Sequence, residues 1–202
     1  MGSLQVDAVG GEGWGPIDIE VRAGECLCLS GPSGSGKTRL LRALADLDPH
    51  TGTVCLDNTP ADTFKAPVWR RQVALLPSDS RWWAATVIEH FDRDAEIPFA
   101  MIGLPAEAAQ WTVERLSSGE RQRLALLRVL AHQPKVLLLD EPTANLDARN
   151  TERIETLVAD YRRSRQAAVL WVSHDEAQIK RVGDRHLQLE QGRICTTNGV
   201  AA

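Results

Sequence analysis

Short apolar runs alternate with amphipathic stretches along this chain, and that pattern predicts an order of elements. Ile17, Ile19 and Val21 alternate with polar neighbours, the period of a half-buried strand. Cys26 to Ser30 reads as the next strand and runs directly into a glycine-rich loop. Val73 to Leu76, Val136 to Leu139 and Val169 to Val172 are short continuous apolar runs, the pattern of strands covered on both faces. Helical periodicity is predicted over Lys37 to Asp46, Ser118 to Ala131, Ala148 to Arg165 and roughly Asp175 to Arg181. His186 to Leu189, the turn Gln191-Gly192 and Arg193 to Thr196 read as a hairpin. Strands alternating with helices in this way predict an α/β domain built on a mostly parallel sheet.

The stretch from about Asp79 to Leu116 breaks the pattern. It contains no convincing buried strand, yet it holds Trp82, Trp83, Phe91, Phe99 and Trp111. A small, mostly helical subdomain inserted between two core strands, spanning about 79–131, is expected there. The Trp82-Trp83 pair is either a docking surface or the mini-core of so small a unit.

Composition narrows the class. At 202 residues, with 43% hydrophobic and 25% charged residues, the chain reads as a single domain over 1–202 with enough length for a proper core. No segment approaches the ~20 apolar residues of a spanning helix, and Arg128 interrupts the most apolar run, Leu124 to Ala131. Any work at a membrane is therefore expected to pass through a partner. The net charge of −4 weighs against nucleic acid as that partner. Cys26, Cys28, Cys55 and Cys195 lack a second pair at metal-ligand spacing and read as small core hydrophobes in a reducing compartment. With no leader-like or myristoylation pattern at the first residues, a cytoplasmic location is expected.

Candidate chemistry begins at Gly31-Pro32-Ser33-Gly34-Ser35-Gly36-Lys37-Thr38, which fits the phosphate-loop pattern of Gly, four residues, Gly, Lys, then Ser or Thr. Glycines let backbone N–H groups turn toward phosphate oxygens, and the following helix adds its positive dipole end. Lys37 is expected to neutralise the terminal phosphates, and the Thr38 hydroxyl to ligate Mg²⁺. A glycine-rich turn with this spacing arises by chance on the order of 1% of the time in such a chain. The strand-to-helix context argues further for nucleoside triphosphate binding. The run Val136 to Leu139 ends in Asp140 and Glu141, carboxylates that on their own commonly open loops. Beside a phosphate loop, Asp140 is expected to organise Mg²⁺ through water and Glu141 to activate the attacking water.

Leu116-Ser117-Ser118-Gly119-Glu120-Arg121-Gln122-Arg123 makes the reading specific. It resembles the signature loop of ATP-binding cassette (ABC) ATPases, while Ser117 and Glu120 also fit a helix capping box. Thr143-Ala144-Asn145-Leu146-Asp147 resembles the loop after that family's catalytic Glu, though Asp147 is also a plain N-cap. Trp171-Val172-Ser173-His174-Asp175 resembles the switch-histidine segment, and Gly183 to Ile194 the closing hairpin. The resemblance runs from about Ile17 to Ile194. It implies a P-loop NTPase core with a small antiparallel N-terminal β portion and a short helical insert. It further implies ATP and Mg²⁺ as cofactors, with Lys37, Glu141 and His174 as catalytic residues. The implied cofactor-binding set is Gly31 to Thr38 plus Arg39, and Thr38 with Asp140 hold the metal. Ser117, Ser118, Gly119 and Glu120 would act on nucleotide bound to a second subunit. The implied partners are a head-to-tail ATP-dependent dimer, of two copies or with a paralogous ATPase, and separate transmembrane permease subunits at the cytoplasmic face.

Departures from the family pattern are concrete. Ser78 stands where members place a Gln after the strand ending at Leu76. The position of the adenine-stacking aromatic, about sixteen residues before Gly24-Glu25, lands near Ala8, with Trp14 the nearest alternative. Ser118 replaces the usual glycine, and Arg39 the usual second hydroxyl. Only 38 residues, Ser78 to Arg115, run from the Gln-equivalent position to Leu116, fewer than transporter members usually carry. The alternative reading is a non-transport ABC ATPase that acts as a mechanical or regulatory switch on a protein or nucleic-acid partner. A P-loop kinase or GTPase leaves the signature and switch segments unexplained.

Overall fold

In the computed structural model, residues 2–92 and 96–195 are described. Two sheets form its frame. Strands β1 (Leu4–Gly11), β2 (Trp14–Val21), β4 (Thr51–Leu56) and β5 (Thr59–Pro60) make an antiparallel sheet in the order β2-β1-β4-β5. A second sheet is built from β3 (Cys26–Ser30), β6 (Val73–Leu76), β7 (Val136–Asp140), β8 (Ala168–Val172), β9 (Arg185–Glu190) and β10 (Arg193–Cys195). Its order is β10-β9-β3-β8-β7-β6, parallel throughout except for the β9–β10 hairpin. Helices α1 (Lys37–Leu44), α2 (Ala66–Gln72), α3 (Ser118–Ala131), α4 (Ala148–Arg165) and α5 (Glu176–Val182) complete it.

The continuous apolar runs are explained by two cores, one on each face of the large sheet. Leu27, Leu29, Leu138, Leu170 and Val172 point into a cluster with Leu40 and Leu41 of α1 and the inner face of the antiparallel sheet. Their strand neighbours Cys26, Cys28, Leu137, Leu139, Val169 and Trp171 point the other way, against Leu124, Ile154 and Ile179 of α3, α4 and α5. Successive residues on a strand face opposite sides, so burial on both faces removes the polar alternation. Each such side chain contributes roughly 1.5–3 kcal/mol of apolar burial.

The core strands and α3 and α4 fall where the pattern places them. Elsewhere the structure adds or trims. Strand β1, strands β4 and β5, and α2 lie in stretches that the periodicity left unassigned. The helix expected to reach Asp46 stops at Leu44, where Ala45 is the cap and Asp46 takes a left-handed φ of 55°. Helix α5 is shifted by one residue because Asp175 is its N-cap, accepting from the N–H groups of Ala177 and Gln178. The insert is less helical than expected. Among the described residues, the helical segments it holds before α3 are the 3₁₀ turns Ile88–His90, Phe99–Ile102, Ala106–Gln110 and Val113–Arg115. Pro98 and Pro105 sit directly before two of them and bar any upstream helical extension. Residues 93–95 of the insert and Thr196 of the hairpin lie outside the described residues. Cys26 and Cys28 are core residues, whereas Cys55 is half-buried and Cys195 is exposed, which corrects the uniform core expectation.

Trp82 and Trp83 differ in exposure. Trp82 packs on the core beneath the insert, while Trp83 is 71% exposed. Both rings meet His90 edge-on, with centroids 4.7 and 4.6 Å away, and the Arg128 guanidinium lies over both.

Candidate functional site

Strand β3 delivers the phosphate loop. Gly31 has a φ of 145°, and a Cβ there would lie 2.1 Å from the carbonyl of Leu189 on β9. Only glycine fits where the loop leaves the sheet. Gly36 caps α1 in a left-handed conformation, so the helix begins at Lys37. The Lys37 ammonium is buried and donates to the carbonyls of Gly31 (2.8 Å) and Pro32 (3.0 Å), folding the side chain back across the loop. Burial pulls its pKa below the ordinary lysine value, against the opposing charges of Glu141 and Asp140.

Strand β7 ends on the two carboxylates. The Thr38 hydroxyl donates to Asp140 Oδ2 at 2.8 Å, joining the start of α1 to the end of β7. Asp140 is 3% exposed, and burial pushes its carboxyl up despite the Thr38 hydrogen bond. Glu141 leaves the strand with a left-handed φ of 49°, its N–H donating to the Val172 carbonyl at 3.2 Å. His174, just past β8, places Nε2 3.0 Å from Glu141 Oε1. Ser33 to Arg39, Glu141 and His174 line one cleft of about 660 Å³, together with Trp14, Arg42, Asp48 and the Gln191-Gly192 turn. Gly31 and Pro32 reach it through Lys37, and Asp140 through Thr38.

Ser117, Ser118, Gly119 and Glu120 do not line this cleft in their own chain. They open α3 with a complete capping box. The N–H of Glu120 donates to Ser117 Oγ (3.2 Å), and the N–H of Ser117 donates to the Glu120 carboxylate (2.8 Å). Burial raises the Glu120 carboxyl, but the Ser117 N–H and hydroxyl outweigh it and leave it below its ordinary value. Asp147 also fills its capping role, accepting from the Asn150 N–H at 2.8 Å. Ser78 is exposed and lies outside the cleft.

Gln178 was invisible to motif reasoning. Buried on α5, it accepts from Ser173 Oγ (2.9 Å) and donates to Thr143 Oγ1 (2.9 Å) and Glu155 (2.9 Å). It therefore ties the strand end before His174 to the loop after Glu141. Arg42 and Asp48 were missed as well, since neither belongs to a motif.

A glycine-rich loop between β3 and α1, in a mainly parallel sheet whose next two strands deliver carboxylates and a histidine, defines a P-loop nucleotide-binding protein. The sequence model of the family described as "ABC transporter" matches residues 15–144, and the chain belongs to that family. It is 37% identical to an aliphatic sulfonates import ATP-binding protein of Nocardia farcinica over 92% of this chain and 75% of that one. It is 34% identical to the probable iron export ATP-binding protein FetA of Escherichia coli, over 81% and 78%. Among solved structures, a bacterial Atm1-family ABC exporter with ATP bound superposes with a TM-score of 0.82 at 25% identity, covering 96% of this chain and 38% of that one. A dimeric ATP-binding cassette bound to ADP and Pi gives 0.82 at 24% identity, covering 98% and 99%, a likeness of fold.

Proposed function

We propose that this chain is the ATP-hydrolysing subunit of an ABC transporter, converting ATP and water to ADP and phosphate. Residues 1–202 are read as one ABC-type domain working in a head-to-tail dimer, of two copies or with a paralogous ATPase. The dimer docks on separate transmembrane permease subunits at the cytoplasmic face. No helix among the described residues is long and apolar enough to cross a membrane. Relatives named for import and export as ATP-binding proteins support the transport reading.

The observation that carries the chemistry is the convergence of Lys37, Thr38–Asp140 and Glu141–His174 on one cleft. Gly31 to Thr38 cradle the phosphates, and Lys37 exchanges its loop carbonyls for phosphate oxygens. Glu141 accepts a proton from water as the water oxygen bonds to the γ-phosphorus. The bond to the β–γ bridging oxygen breaks, leaving ADP and phosphate. His174 orients the Glu141 carboxylate and meets the γ-phosphate. The hydroxyl of Thr38 and the buried carboxylate of Asp140 fit Mg²⁺, which takes hard oxygen donors. When bound, that ion neutralises charge on the β- and γ-phosphates. Ser117 to Glu120, outside their own cleft at a helix start, suit contact with nucleotide on the partner.

Glu141→Gln tests the assignment. Expected is a fall in ATP turnover of about 10²–10⁴-fold with nucleotide binding retained and an ATP-dependent dimer accumulating in size-exclusion chromatography. Hydrolysis at the unaltered rate would remove Glu141 from the role of base.

A further inference from the structure

A nucleoside triphosphate brings a flat base as well as a charged chain. The cleft that contains the phosphate loop also contains one indole, that of Trp14 at the start of β2. Trp14 is only 8% exposed and belongs to the core, so its ring is fixed. The exposed side chain of Arg39, on α1, covers it, with Cζ 5.6 Å from the ring centroid. That is within cation–π range. Neighbouring Arg42 is occupied elsewhere, donating to Asp48 at 2.7 and 2.8 Å.

The turn between β9 and β10 ties the start of β2, where Trp14 lies, to the phosphate loop. The N–H of Gly192 donates to the Ser35 carbonyl at 3.2 Å, and its carbonyl accepts from the Gly15 N–H at 2.8 Å. A Cβ on Gly192 would come within 2.8 Å of the Trp14 Cα and Cβ, and its φ is 75°. Loop, turn and indole are thus held in one rigid frame.

We propose that the Arg39 guanidinium, backed by Trp14, is the platform on which the nucleotide base stacks. This deepens the ATPase reading and rests on it. A guanidinium plane presents a flat cation to the π-face of a base, and base stacking on such planes is a recognised binding mode. Its geometry follows from the cleft: the buried indole cannot turn outward, so the face offered to a base is that of the arginine.

The test compares ATP with inorganic triphosphate, which has the charge and no base, by calorimetry on the full chain with Arg39→Ala and Arg39→Lys. The unaltered chain should bind ATP about tenfold or more tighter than triphosphate, the scale of one stacked base. Arg39→Ala should erase most of that ratio. Arg39→Lys, which keeps the charge and loses the plane, should restore triphosphate affinity without restoring the ratio. An equal loss of ATP and triphosphate in Arg39→Ala, with lysine rescuing both, would assign Arg39 to the phosphates and overturn the proposal. No ATP binding by the unaltered chain would instead refute the ATPase reading beneath it.

Discussion

Glu141 combines its proposed chemistry with a backbone conformation that costs stability, and the two can be separated. Its φ of 49° is left-handed, a region that costs a residue with a Cβ roughly 1–2 kcal/mol. Glycine escapes that cost but loses roughly 0.5–1 kcal/mol to the greater freedom of the unfolded chain. Glu141→Ala and Glu141→Gly both delete the carboxylate and its 3.0 Å contact with His174, so they differ only in the Cβ. The glycine variant should therefore be more stable than the alanine variant by about 0.5–1 kcal/mol. For a domain of this size that is a melting temperature higher by about 1–4 °C. Neither should hydrolyse ATP at a useful rate. Scanning calorimetry of the ligand-free pair, with ATP turnover measured alongside, decides the matter. An alanine variant melting at or above the glycine variant would show that the residue is not strained, and turnover in either would remove the carboxylate from the mechanism.

Asp140→Asn should raise the melting temperature of the ligand-free chain at neutral pH while abolishing Mg²⁺-dependent turnover. Burial raises this carboxyl, so the folded state holds its proton to higher pH than the unfolded state does. The associated stability is present below the ordinary carboxylate range and is lost as pH rises through the raised value. The gain from asparagine should accordingly shrink toward pH 3 in thermal melts, and a gain independent of pH would rule out burial of the charged carboxylate as its source. Asp147→Ala removes the cap that accepts from the Asn150 N–H at 2.8 Å, and chemical denaturation should show a loss of about 1 kcal/mol. No loss would mean that the 18-residue α4 is held by packing alone.

The central sheet could be read from the sequence because its strands carry local signals. Val73 to Leu76, Val136 to Leu139 and Val169 to Val172 are uninterrupted apolar runs for the simple reason that both of their faces are covered. Strands β1 and β4 lie in a sheet with one face in solvent. Asp7 and Ala8 are exposed, and the register slips between Asp7 and Gly10, where Ala8 has a φ of 49°. A strand that bulges loses its period of two, and the period was the signal. The insert misled for a related reason: its aromatic content implies a core, but prolines and short segments leave the chain in single 3₁₀ turns.

The same contrast separates the two ends of the cleft. At the end formed by the glycine-rich loop each residue's position is set by its own strand or loop: Gly31 at the end of β3, Asp140 and Glu141 at the end of β7, His174 just beyond β8. Backbone geometry places them, so spacing within a motif suffices to find them. At the other end Arg39 and Arg42 follow the loop on α1, whereas Trp14, Asp48 and Gly192 are brought beside them only by the folded frame. There Trp14 is a core residue by pattern and by burial, yet its covering guanidinium faces the cleft. A ring can serve a site without being exposed to it, and hydrophobic periodicity alone cannot tell that case from ordinary packing.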